Sequence, residues 1–197
     1  MTIDIAEAHR RRDARSSTSP PLRSAHTLAP LLQAVATLHE LASSAVVVVV
    51  ELDTLARAIR RAGRRLEDAL DGERALPLTS VVARTVEPDI VPLADAVAAL
   101  ASIANQPGAD AAFADIAEAL AVVVETELGP ALTSTCKLPG FELPRPWRTT
   151  FQPQRHQLLE RSEGPRDVVI AVERCGRLGP GGRLLDPALV IVGAGST

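Results

Sequence analysis

The chain has 197 residues, a formal charge of -3, and an apolar fraction of 46% that includes three Phe, one Trp and no Tyr. That length holds one ordinary domain, or a small domain plus an extended element, and leaves no room for two large ones. The near-balanced charge argues against a nucleic-acid binder, which needs a basic surface to neutralise phosphates, and the scarce aromatics leave little on which to stack bases or sugars.

The first segment is basic and without packing surface: Arg10, Arg11, Arg12, Arg15 and Arg23 surround the run Ser16 to Pro21. This predicts a disordered arm over 1–27. No apolar core with a small-residue cleavage site opens the chain, so the expectation is a cytoplasmic protein. The most hydrophobic run, Ala45 to Val50, is closed by Glu51 and Asp53. It falls well short of the roughly 20 residues that span a bilayer, and no membrane association is expected. Cys136 and Cys175 lie far apart with no Cys or His at ligand spacing near either, which predicts reduced structural thiols, no metal and no cofactor.

The strongest periodicity runs through Leu31, Val35, Leu38, Ala42, Ala45, Val49, Leu52, Ala56, Ile59, Gly63, Leu66 and Leu70. The steps alternate four and three, the 3.5-residue repeat that keeps one apolar seam facing a partner helix. They predict one long coiled-coil helix over 28–72, on the order of 60 Å long, with Arg57, Arg60, Arg61, Arg64 and Arg65 on its solvated flank beside Glu67 and Asp68. The β-branched run Val46 to Val50 weakens helix propensity in the middle of this stem.

Gly72 and Pro77 signal a stop or kink. A helical segment is expected to begin near Thr79 or Ser80 and another at Asp89, a candidate N-cap with Pro92 in its first turn. Its apolar face carries Ile90, Leu93, Val97 and Leu100. Asp110 is the candidate cap of a further helix bearing Phe113, Ile116, Leu120 and Leu128, ended by Gly129 and Pro130. This hairpin over 78–130 has little core of its own, and pairing with a second copy would complete a four-helix bundle. Leu31, Val35, Leu38, Val49, Leu52, Ile59, Leu66 and Leu70 of the seam, with Pro92, Leu93 and Val97, are therefore the candidate dimerisation residues.

From 131 to 193 the prolines Pro139, Pro144, Pro146 and Pro153 block long helices. Alternation at Val168, Ile170 and Val172, and the apolar run Leu184 to Val192, predict short strands of a compact β module, with Cys175 to Arg183 as a glycine-rich turn. Residues 194–197 form a flexible tail. The fold class expected is α+β: a long N-terminal coiled-coil helix, short helices forming a dimeric four-helix bundle, and a small C-terminal β-rich wing. His156 is a possible general base, but no nucleophile with an orienting carboxylate can be placed beside it, and the loop Gly179 to Arg183 lacks the Lys-Ser/Thr ending of a P-loop. A non-enzymatic protein is expected.

Several segments resemble one family. Phe151-Gln152-Pro153-Gln154-Arg155-His156 is similar to the F-D-P-x-x-H motif of the GrpE nucleotide exchange factors. Gly176, Gly182-Arg183-Leu184-Leu185 and Pro187-Ala188-Leu189-Val190-Ile191-Val192 follow in the order of the family's G-x-R-x-L-R-P-A-x-V-x-V ending, and Ile90-Val91-Pro92-Leu93-Ala94-Asp95 resembles its L-L-P-V-x-D. The resemblance implies a homodimeric co-chaperone whose β wing inserts beside the nucleotide cleft of an Hsp70 (DnaK-like) ATPase domain and speeds ADP release by binding the open state better than the closed one. Phe151, Pro153, His156, Gly176, Arg177, Arg183 and Pro187 become the candidate partner contacts, with Arg183 foremost. This sequence departs from the pattern at Gln152, Arg177, Asp186, Ala98 and Ala99. Those departures motivate an alternative, a dimeric scaffold or adaptor of the same fold without exchange activity.

Overall fold

The structure, a computed structural model, describes residues 22–45, 50–71 and 78–195. The expected disordered arm falls largely on residues outside this set, as do Val49, Gly72 and Pro77. Of the arm, residues 22–27 are helical.

Among the described residues, four helices longer than three turns precede the strands: α1 (Leu22–Ala45), α2 (Val50–Asp71), α3 (Leu78–Ala104) and α4 (Ala111–Val123). The single long stem is thus replaced by two helices that fold back on each other, with Val35 packed beside Gly63. The heptad positions are apolar as predicted, but their partner is the same chain: Leu31, Val35, Leu38, Ala42, Ala45, Leu52, Ala56, Ile59 and Leu66 are all buried in one continuous core. On α2 the buried set Leu52, Leu55, Ala56, Ile59, Ala62 and Leu66 follows the 3.6-residue period, while Arg57, Arg60, Arg61, Arg64 and Arg65 stay exposed. Arg57 pairs with Asp53 one turn earlier, and Arg65 ties α2 to α3 through Asp89 at 3.0 Å.

In sequence order each helix packs on the next, and α4 returns to α1. The chain therefore closes a four-helix bundle by itself, and α1 and α2 supply the half that the hairpin 78–130 lacks. The physical reason is area. Two helices alone cannot bury both flanks of their apolar faces, and the nearest unspent apolar stripe lies in the preceding helices. Leu93 and Val97 are buried in this bundle and Pro92 is exposed.

The helix starts near Thr79 and Asp89 resolve into one uninterrupted α3 that carries Pro88 and Pro92 inside it. Both prolines face solvent, where water can reach the carbonyls that lose their i+4 donor. Asp89 is consequently an ion-pairing residue within α3 rather than a cap. Asp110 does cap α4: its Oδ1 accepts from the Ala112 N–H at 2.8 Å.

The helical path also runs beyond Gly129-Pro130. From α4 it continues as a π-helical stretch, Val124–Leu128, a short α turn, Gly129–Ala131, and a second π stretch, Leu132–Cys136. Pro130 has no N–H to give, and the chain widens around it: the Gly129 N–H bonds back to the Val124 carbonyl and the Lys137 N–H to that of Leu132, each five residues earlier. Lys137 then ends the path in the left-handed conformation, φ 58°.

Six short strands follow: β1 (Gly140–Glu142), β2 (His156–Ser162), β3 (Val169–Arg174), β4 (Gly176–Leu178), β5 (Leu184–Asp186) and β6 (Ala188–Gly193). They form two sheets, ordered β1-β4-β5 and β2-β6-β3. β4 lies within the segment expected to be only a turn, and the actual turn is shorter, built on Gly181 and Gly182 at φ 73° and 78°. On β3 Val169, Ile170 and Val172 are buried, and Val168 just before it is half-buried, so two of the three expected positions are buried but the alternation is not strict; irregularities interrupt the pairing of β3 with β6. β3 lies on α3, and the apolar core runs without a break from the bundle into this sheet.

Candidate partner-binding surface

The residues of the F-x-P-x-x-H segment close a tight loop in front of β2. The Gln152 carbonyl accepts from the N–H groups of Arg155 (2.9 Å) and His156 (2.8 Å), and the Gln152 N–H donates to His156 Nδ1 at 3.1 Å. His156 is 4% exposed. With Nδ1 accepting, the neutral ring carries its proton on Nε2. Burial holds its pKa below the ordinary imidazole value, against an opposing pull from Glu142. Phe151 lies half-buried with its ring 6.0 Å from the imidazole, while Pro153 is exposed at the tip.

This loop is stitched to the C-terminal segment. His156 faces Ala188 across the parallel pair β2–β6, and the Ala188 N–H donates to the Arg155 carbonyl at 3.2 Å. Gly176 packs against the same point: a Cβ there would lie 3.2 Å from the Ala188 nitrogen and 3.2 Å from Glu142 Cβ. Pro187 occupies the link between β5 and β6. Five of the seven candidate contacts, Phe151, Pro153, His156, Gly176 and Pro187, thus gather in one corner of the β module. Phe151, His156 and Gly176 serve mainly its packing.

Arg177 is also consumed within the fold. Its guanidinium stacks 4.7 Å over the Phe141 ring and reaches Glu87 on α3 at 3.4 Å, with 13% of the side chain exposed. Burial lowers its pKa, and Glu87, Asp95, Cys175 and Asp186 pull the other way. Across the antiparallel pair β4–β5, Arg177 faces Asp186. Two of the departures from the family pattern, one introducing a cation and the other an anion, therefore face each other. Arg183 differs from the rest. It is exposed beyond the Gly181-Gly182 turn, its carbonyl accepts the Gly179 N–H at 2.7 Å, and its side chain makes no ion pair among the described residues.

A cleft of about 540 Å³ opens beside this corner, lined among others by Glu125, Phe141, Glu142, Arg145, Arg155 and His156. Its charges are paired: Arg155 holds Glu142 at 2.6 Å, and Arg145 holds Glu118 at 2.9 Å and Glu125 at 2.7 Å. Glu125 also accepts the Leu143 N–H at 2.9 Å. These residues escape a sequence reading because their partners lie 13 to 27 positions away. The same holds for Ser102, which accepts the Val172 N–H at 3.0 Å, and for Asp95, which accepts that of Cys175 at 2.9 Å. Asp95 did carry a signal, as the last residue of the I-V-P-L-A-D segment.

Comparison with protein-family models, curated proteins and solved structures gives no match. Cys136 and Cys175 are buried free thiols, as expected for structural cysteines. Burial pushes Cys136 up to about 11 and raises Cys175, where Asp95 adds to the effect. Among the described residues no cluster of His, Cys, Asp and Glu could hold a metal ion, and no helix is long and apolar enough to cross a membrane.

Proposed function

We propose that this chain is a GrpE-like co-chaperone that promotes ADP release from the ATPase domain of an Hsp70. The observation that supports this reading is convergence. The four resembling segments lie up to about 100 residues apart, yet His156 meets Ala188, Gly176 packs on Ala188, and Asp95 caps the Cys175 N–H beside them. Segments that share a family order and also share contacts form one structural unit, which chance matches in an Ala- and Val-rich chain have no reason to do.

The action is differential binding. The β module, with Arg183 projecting from its glycine turn, contacts the open form of the partner better than the closed one, and that difference alone shifts nucleotide release. Arg183 suits an acidic partner surface because it is exposed and, among the described residues, no carboxylate engages its donors. The decisive experiment mixes the purified chain with its cognate Hsp70 loaded with labelled ADP. Accelerated release, reduced roughly tenfold or more by Arg183→Ala, is the expected result. No acceleration at excess factor refutes the proposal.

The second reading, a scaffold of the same fold without exchange activity, is favoured by one observation: Arg177 is spent on Phe141 and Glu87 rather than presented outward. Recovery of the chain with a different protein, and no Hsp70 ATPase domain, in a pull-down selects it.

A further inference from the structure

Helices α1 and α2 leave a groove of about 470 Å³ between them. Its floor is apolar: Val35 and Ile59 are buried, Leu32 is half-buried, and Gly63 has no side chain to fill the space. The α2 rim carries Arg60 and Arg64, both exposed, and then Glu67, with Asp68 next to it in sequence. Among the described residues Arg64 makes no ion pair, and Arg60 makes only a hydrogen bond from its Nε to the Ala56 carbonyl at 3.3 Å. Two arginines four positions apart on a helix repel each other, and an apolar floor open to water adds a second cost. An occupant with an apolar face and carboxylates at matching spacing removes both.

We infer that the occupant is the chain's own N-terminal segment, residues 3–11, which lies outside the described residues and joins α1 at Leu22 through residues 12–21. It carries the chemistry the groove asks for. Ile3, Ile5, Ala6 and Ala8 are apolar, Asp4 and Glu7 stand three positions apart, and Arg10 and Arg11 follow. Charge fixes the direction. Along the segment two acids precede two bases, while along α2 the bases Arg60 and Arg64 precede the acids Glu67 and Asp68. Laid parallel to α2, Asp4 meets Arg60, Glu7 meets Arg64, and Arg10 and Arg11 meet Glu67 and Asp68. The reverse direction sets like charges together at both ends. Connectivity agrees with the first. Val35 packs beside Gly63, and Ala29 lines the groove with Glu67, so the acidic end of the rim lies toward the start of α1. Arg11 is then placed at the end of the groove nearest Leu22, which precedes Ala29 by about 10 Å along the helix. Residues 12–21 reach roughly 33 Å when extended. So short a tether holds the segment at an effective concentration on the order of millimolar, enough for a contact of modest area.

This docking stands independently of any activity toward an Hsp70. In the register above Ala6 lies level with Gly63, and so beside Ala36, an exposed residue of the groove. The test uses the full chain carrying Ala6→Cys and Ala36→Cys, oxidised mildly at low concentration; the native thiols Cys136 and Cys175 are buried. A disulfide within one chain is expected, identified by mass spectrometry of the linked peptides with the mass of the whole remaining near 20.8 kDa. Adding Arg60→Glu and Arg64→Glu should slow the cross-linking about tenfold, with the circular dichroism unchanged because both side chains are exposed. Adding Asp4→Arg and Glu7→Arg to that same chain should restore the rate, a rescue that random collisions of a tethered arm would not give. Absence of the disulfide, a rate indifferent to the reversed arginines, a rate that the swapped acids do not restore, or a disulfide that joins two chains overturns the inference.

Discussion

His156 illustrates how a residue with a functional-looking pattern is used structurally. Its Nδ1 is committed to the Gln152 N–H, and burial favours the neutral ring. A folded-state pKa below the unfolded value near 6.5 means that the unfolded chain binds the extra proton first as pH falls. The associated stability is complete above that value and is lost as pH drops through the folded pKa. The melting temperature should therefore decline between about pH 7 and pH 5, and His156→Gln, whose amide oxygen can still accept the Gln152 N–H, should flatten that decline. An identical slope in the variant would contradict the assignment. Gly193 is constrained differently. A Cβ there would overlap the Pro165 carbonyl oxygen, and a backbone atom cannot swing aside as a side chain can. Gly193→Ala should cost about 2–4 kcal/mol, visible as a lower urea midpoint at unchanged slope.

Among the elements, the α1–α2 pair shows what a 3.5-residue repeat does and does not specify. It fixes which residues are apolar and on which stripe. It does not name the helix that covers them. Leu38, Leu52 and Leu66 are fully or almost fully buried in the chain's own bundle, so a charge at any of them should unfold the protein rather than dissociate an oligomer. The milder Leu52→Ala should cost about 2–5 kcal/mol through lost transfer energy and the cavity left behind. Chemical denaturation at two protein concentrations separates the cases, since an intrachain contact gives the same loss at both. The π-helical widening around Pro130 follows the same lesson. The proline was legible as a helix terminator, yet the surrounding helix absorbs it by shifting to five-residue hydrogen bonds, because Gly129 packs on Gly140 and Phe141 of β1 and ending the helix there would forfeit that contact.

At the scale of the whole molecule, the bundle and the β module act as one body because polar links cross between them. Ser102, 7% exposed, is the clearest. Its hydroxyl accepts the Val172 N–H from β3 and donates to the Ala98 carbonyl on its own helix at 2.9 Å. Ser102→Ala would leave a buried backbone donor without a partner, a loss of about 1–3 kcal/mol. The readout that separates this from simple helix damage is hydrogen exchange, which should rise at Val172 and its β3 neighbours while the interior of α2 keeps its protection. The β module thus lies against the helices and is braced by α3.

The sequence by itself determined the α+β composition, the apolar stripes of the bundle helices and the cap at Asp110. These are local or periodic properties, written into spacing because helix and strand geometry repeat along the chain. Tertiary structure alone decided that the seam closes within one chain, that Arg177 and Asp186 answer each other across β4 and β5, and that Arg145 gathers Glu118 and Glu125. Those choices depend on which distant surfaces come into contact. A stripe of leucines binds any complementary stripe with similar energy, and chain connectivity and the area left to bury select the one that fills it.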